Sequence, residues 1–190
     1  MPADPKPGER IILDLCGGTG AWSAPYRAAG YDVRVVTLPE QDVRDYVPPC
    51  DVHGILAAPP CTEFAVSGAR WWKSKPPNLL VEAVEIWSAC MRIITRCDPA
   101  WWALENPVGR LRKWAGPPAW SFHPWEYGDA QFKRTMIWGT AMKSPPVVLV
   151  APARTADNQQ VWRAVPSPER ATLRSITPPG FARAFFEANP

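Results

Sequence analysis

The sequence predicts an α/β domain with a doubly wound central sheet, and three observations carry that expectation. Short apolar runs alternate with stretches of helical periodicity along the 190 residues. A glycine-rich turn follows the first of these runs. The other conspicuous polar motifs also stand just past a predicted strand, where such sheets place their ligand sites.

Taken in order, Ile11-Ile12-Leu13-Asp14-Leu15 is an apolar run that reads as a buried strand. Cys16-Gly17-Gly18-Thr19-Gly20 turns the chain into a helix expected from Ala21 to about Ala29, which Gly30 stops. Tyr31 to Leu38 (YDVRVVTL) and Asp51 to Ala57 (DVHGILA) read as the second and third strands. An amphipathic helix is expected from about Asn78 to Arg96, with Leu80, Ala83, Val84, Trp87, Cys90, Met91 and Ile94 on its apolar face. Trp101 to Leu104 makes a fourth strand, and Thr135 to Trp138 and Val147 to Val150 suggest two more. Thr177-Pro178-Pro179-Gly180 opens a last helix over Phe181 to Ala188, since proline is tolerated in a first turn.

The length suits one domain over residues 1–190. With 46% hydrophobic and 21% charged residues the composition is that of an ordinary globular protein. No apolar run is long enough to span a bilayer, and the polar, proline-rich start is unlike a signal peptide, so no membrane partner and a cytoplasmic location are expected. A net charge of +3 is compatible with nucleic acid without arguing for it. The 24 prolines, accompanied by 11 tryptophans rather than Ser/Gln tracts, imply rigid loops. Five cysteines without a CxxC pair suit individually placed thiols in a reducing compartment better than a disulfide framework or a zinc site, so no metal is expected.

The turn DLCGGTG has the physics of a cofactor loop: small residues let the backbone approach a ligand, and the helix behind it presents unpaired N–H groups. Gly17, Gly18 and Gly20 depart from the dinucleotide spacing, and Trp22 stands where a third glycine is expected. A looser D-L-x-x-G-x-G turn of the S-adenosylmethionine (AdoMet) type fits better; the alternative is a plain tight strand–helix turn. In Ala58-Pro59-Pro60-Cys61, two prolines restrict the backbone and can hold a sulfur outward at a strand end. A thiolate there is a candidate nucleophile, against the ordinary alternative of a packed cysteine. That alternative is assigned to Cys90 and Cys97, Cys50 is read as loop filler, and Cys16 as a small residue beside the glycine loop. Leu104-Glu105-Asn106-Pro107 sets a carboxyl at another strand end, where it can reach the shared crevice or merely cap a turn. Lys133 and Arg134 precede a strand and can hold a phosphate or a polarised carbonyl, or remain a solvated pair. The HPWEYGD phrase and the Trp71-Trp72 and Trp101-Trp102 pairs offer rings for stacking on bases, but most are expected to pack.

The ordered set DLCGGTG, Asp42-Val43, PPC, ENP and QFKRT resembles the motif series of DNA cytosine-5 methyltransferases, in the family's order and over Ile11 to Trp138. ENPVGRL and YGD-x-x-x-K are similar to short phage-borne members, and ITPPGFARAFFEAN to the family's closing helix. The resemblance implies a single Rossmann-like, AdoMet-dependent methyltransferase domain. Cys61 then matches the thiolate that adds to carbon 6 of cytosine, Glu105 the carboxyl that holds and protonates ring nitrogen 3, and Asn106 its positioning neighbour. Asp14, Cys16, Gly17, Gly18, Gly20 and Trp22 fall on the cofactor loop, with Thr37, Asp42 and Pro60 also on the cofactor side.

Three departures stand out. Thr37 occupies the place of the family's ribose-binding acid, with Glu40 slightly late. The family's two arginines are Lys133 and Thr135 in strict register, with Arg134 one place off. No target-recognition domain is expected, since Lys143 to Pro168 leaves room for a loop only. The implied partner is DNA, double- or single-stranded, in a bacterial host's cytoplasm. The rivals are the same chemistry on a free cytosine nucleotide and an inert binding protein of the same fold.

Overall fold

The computed structural model describes residues 9–129, 131–147 and 176–190. Their strands are β1 (Ile11–Leu15), β2 (Asp32–Val36), β3 (Val52–Ala57), β4 (Trp101–Pro107), β5 (Trp120–Phe122) and β6 (Thr135–Thr140). The helices are α1 (Ala24–Ala28), α2 (Pro77–Cys97), α3 (Arg112–Ala115) and α4 (Pro179–Ala188), with 3₁₀ turns at Val66–Trp71 and Pro124–Tyr127. One six-stranded sheet has the order β2-β1-β3-β4-β6-β5. The first four strands in that order are parallel, and β6 runs antiparallel to both β4 and β5. The fold is therefore mixed α/β, with the reversal of strand order at β1 and β3 that marks a doubly wound sheet.

Both faces are covered, and the strands alternate accordingly. Leu13, Leu15, Ile55, Ala57 and Leu104 pack with Ala83, Ala89, Cys90, Ile93 and Ile94 of α2. Ile12, Leu56, Trp101, Ala103 and Ile137 face the other way, into an aromatic core with Trp22, Tyr26, Phe122, Phe181 and Phe185. Within it the rings of Phe122 and Phe181 stack 3.9 Å apart, and α4 is fixed to the sheet through that stack. Asp129 Oδ2 accepts the amide of Gly180 at 2.9 Å, supplying an acceptor to the first turn of α4.

Three differences from the sequence reading have physical reasons. The helix expected from Ala21 begins only at Ala24, because Gly18 and Gly20 hold positive φ angles (54° and 70°) that keep the chain in turns, and a proline sits in its first turn. The fourth strand does not stop at Leu104: β6 pairs with it from Trp102 to Pro107, so Glu105 and Asn106 lie within the ladder. β5 was not expected; it is three residues long and exists through its pairing with β6. The expected strand over Val147–Val150 falls, past Val147, outside the described residues, as does most of the expected loop from Lys143 to Pro168. Among the described residues no helix is long and apolar enough to cross a membrane.

Candidate active site at the carboxyl edge of the sheet

Because β1 to β4 are parallel, their carboxyl ends share one edge. The antiparallel β6 begins at that same edge, with Thr135 opposite Pro107. Asp14, Cys61, Glu105 and Lys133 thereby reach one side of the molecule from four different segments.

At the end of β1 the backbone is pinned on both sides. Cys16 N donates to Val36 O at 2.7 Å, and Ala58 N donates to Leu15 O at 2.9 Å. Asp14 is fully buried, and Ser23 Oγ donates to its Oδ2 at 2.5 Å. The other carboxylate oxygen, Oδ1, is buried with no hydrogen-bond partner among the described residues. Burial pushes the Asp14 carboxyl up to about 6 from its ordinary 3.8, against the opposing effect of the Ser23 bond. A methyl group on Gly17 would stand 2.4 Å from the Asp14 carboxyl carbon, so only glycine lets the turn close over that carboxyl. A buried acceptor without a donor, beneath a turn stripped of side chains, suits a small cationic group such as the ammonium of an amino-acid-bearing cofactor.

The other cofactor-side residues fall into distinct places. Trp22 is 2% exposed, with its ring centroid 5.5 Å from Phe185 and 6.0 Å from Phe181, so it packs beneath the loop. Cys16 has a φ of 56°, and its Sγ lies 3.9 Å from that of the buried Cys90. Cys90 rises well above an ordinary thiol, through its contact with Cys16 and its burial. Thr37 follows β2 and is half-buried, Gly18 is exposed, and Gly20 closes the turn with its amide on Gly17 O at 2.8 Å. Asp42 is gripped by Arg44, whose Nη2 and Nε donate to Oδ2 at 2.6 and 3.0 Å. Those bonds, with the Arg44 amide on Oδ1, hold its carboxyl below the usual range.

At the end of β3, Pro59 is buried, Pro60 exposed and Cys61 half-buried. Phe64 N and Ala65 N both donate to Cys61 O, at 2.9 and 2.8 Å, which turns the chain directly after the cysteine. The link to β4 is Asn106, wholly buried, whose Nδ2 donates to Pro59 O at 2.9 Å. Its Oδ1 has no partner among the described residues. Beside it the Lys133 ammonium lies 3.7 Å from Glu105 Oε1, both side chains being about 15% exposed. Arg134 is directed elsewhere: it is exposed, and its Nε and Nη2 donate to Ser121 Oγ at 3.2 Å. Thr135 is buried, with Oγ1 donating to Lys133 O at 3.2 Å. A crevice of about 110 Å³ opens between Ala65–Ser67, Pro107–Val108 and the two cations, next to Glu105 and Asn106 in the chain but not lined by them or by Cys61. A larger groove, about 660 Å³, runs along α2 and includes none of the residues expected in the site.

Sequence reasoning missed Ser23, the partner of Asp14, and the bond by which Asn106 holds Pro59, a residue read only as stiffening the turn before Cys61. A serine before a proline-started helix was a visible signal for Ser23, as an N-cap; its hydroxyl is turned to Asp14 instead. Nothing local signals the Pro59–Asn106 bond, which spans 47 residues. Replacing Asn106 by alanine is expected to cost about 1–3 kcal/mol in denaturant unfolding, because the buried Pro59 carbonyl loses its donor.

No family model matches the chain, and no curated protein matches it. Among solved structures it is similar to a prophage-encoded E. coli protein described as a candidate DNA modification methyltransferase, with 15% sequence identity and a TM-score of 0.48. That similarity covers 68% of this chain and 46% of the other, so the chain spans less than half of that neighbour's length.

Proposed function

We propose that the chain methylates carbon 5 of cytosine in DNA, using AdoMet as methyl donor and Cys61 as covalent nucleophile. The observation that carries this reading is the Asn106–Pro59 bond, which ties the Pro-Cys turn to the Glu-Asn strand. Two segments separated in sequence are thereby held as one unit, with the Glu105–Lys133 pair alongside. The order of the five motifs along the chain supports the same reading.

In this reading the Cys61 thiolate adds to carbon 6 of the ring, because an aromatic carbon is too poor a nucleophile until that bond makes carbon 5 enamine-like. Glu105 holds ring nitrogen 3 and supplies the proton that neutralises the developing charge there, while Lys133 balances the carboxylate. Asn106 acts through Pro59, fixing the turn that aims the sulfur. Once carbon 5 carries the methyl group, its proton passes to a water molecule acting as base, the bond from carbon 6 to sulfur breaks to return the Cys61 thiolate, and ring nitrogen 3 gives its proton back to Glu105. AdoMet, when bound, supplies an electrophilic methyl group. The Oδ1 of Asp14, without a partner among the described residues, and the glycine turn at Gly17, Gly18 and Gly20 would hold its amino-acid end, with Thr37, Asp42 and Pro60 toward its adenosine. A base in a duplex reaches such a crevice only when flipped out, so single strands and distorted sites are the better substrates.

The test is incubation with tritium-labelled AdoMet and either DNA or dCMP. Label recovered as 5-methylcytosine from DNA is the expected result. Label in dCMP alone would move the substrate to the free nucleotide, and label in neither, with AdoMet still bound, would overturn the catalytic reading.

A further inference from the structure

Residues 58–76 join β3 to α2 and begin with the Pro-Cys turn. Far from hanging free, this segment is docked on the turn after β4. Ala65 and Gly109 form an antiparallel bridge, Val66 N donates to Val108 O at 2.8 Å, and Arg110 N donates to Phe64 O at 2.8 Å. The approach is so close that a Cβ on Gly109 would stand 1.9 Å from Phe64 O. These backbone bonds fix residues 64–66 only.

The Arg110 side chain reaches both sides of that bridge. Its Nε donates to the backbone oxygen of Glu63 at 2.6 Å, and its Nη2 lies 3.9 Å from Glu63 Oε2. Its guanidinium carbon sits 4.4 Å from the centroid of the Trp72 ring. Glu63 is 7% exposed, and its other oxygen accepts from Lys75 Nζ at 2.5 Å. One side chain thus holds the segment at residue 63, beside the nucleophile, and at residue 72, near its far end. The geometry needs arginine: a planar fork can donate along its edge and stack by its face at once, which an ammonium cannot. Neither the Cys61 chemistry nor the cofactor loop accounts for this arrangement.

We propose that Arg110 is a positioning residue, a clasp that holds the Cys61 segment against the end of β4 that carries Glu105 and Asn106. The proposal rests on the reading of Cys61 as the nucleophile, and its test is chosen to separate the two. In Arg110→Ala the backbone bridge at Gly109 remains, so the domain keeps its fold while residues 67–75 loosen. Amide hydrogen exchange over 67–75 is expected to speed up by about tenfold or more. Alkylation of Cys61 by iodoacetamide, followed by peptide mass spectrometry, is expected to change by at least about fivefold, with the exposed Cys50 as unchanged control. Methyl transfer falls in kcat, whereas the AdoMet dissociation constant stays within about twofold. Arg110→Lys keeps the charge but not the fork, and is expected to restore less than half of the lost kcat.

Unchanged exchange and unchanged Cys61 alkylation in Arg110→Ala would overturn the clasp, whatever the activity. Full rescue by Arg110→Lys would overturn the argument from the fork and the stack. Should Arg110→Ala fail to fold, Trp72→Leu removes the stacking partner and is read by the same exchange and alkylation. A wild-type chain without methyl transfer would sink the cytosine reading, while exchange and alkylation still decide whether Arg110 holds the segment.

Discussion

On the proposed covalent scheme, Cys61→Ser is expected to lower methyl transfer to cytosine by on the order of 10⁴-fold or more, because the hydroxyl cannot replace the thiolate as nucleophile. The fold is expected to survive. Cys61 is half-buried, and its backbone oxygen accepts the bonds from Phe64 N and Ala65 N that shape its turn, which serine keeps. The AdoMet dissociation constant should therefore stay within about twofold and the unfolding free energy within about 1 kcal/mol of wild type. Turnover near wild-type level in this variant would remove the covalent scheme. Cys50→Ser, an exposed thiol on the connection between β2 and β3, is the matched control and leaves turnover unchanged.

The second large effect is at Asp14, where stability and binding move in opposite directions. Its carboxyl titrates near 6 in the folded chain and near 3.8 when exposed. The folded state thus keeps a proton that the unfolded state has released. Its contribution to stability is fully present below about pH 4, is lost as pH rises through 6, and stays lost above. At pH 8 the buried carboxylate costs about 2–3 kcal/mol relative to an unperturbed acid. Asp14→Asn removes that cost and still offers Ser23 an oxygen, so the variant is expected to be more stable than wild type at pH 8. The decline of wild-type stability between pH 4 and 6 should flatten with it. On the proposed reading the same substitution deletes the charge that would meet the cofactor's cationic group, so AdoMet binding is expected to weaken. In wild type, binding should tighten by about tenfold between pH 5 and 7 as the carboxylate forms. Thermal unfolding and calorimetric titration across pH read both effects. A variant less stable at pH 8, or one that binds AdoMet as wild type does, would contradict this account of Asp14.

The parts of the site that were legible in the sequence are those set by local chain chemistry. Gly17 three residues after Asp14 and Pro59-Pro60 before Cys61 declare themselves within a few residues. The helix α2 was legible for the same reason, since its apolar face repeats over five turns, and its observed limits differ by one residue at each end. What escaped depends on pairing across the sheet. The place of Glu105 inside β4 is decided by Ile137 opposite it. β5 has no periodicity to read in three residues, and Lys133 gains its carboxylate partner through the antiparallel register of β6. Arg110 illustrates the limit most clearly. In the phrase ENPVGRL it is one more charged residue, and its contacts are visible only once Glu63 and Trp72 are folded against it.

The central claim is a covalent bond between Cys61 and cytosine carbon 6, and trapping that bond tests it most directly. In DNA carrying 5-fluorocytosine, the fluorine replaces the proton that must leave, so the adduct persists after methyl transfer. Incubation with AdoMet followed by peptide mass spectrometry should recover the modified base on the peptide that contains Cys61, and on none containing Cys16, Cys50, Cys90 or Cys97. Recovery of 5-methylcytosine from ordinary DNA with no adduct at Cys61 on the fluorinated strand would contradict the account.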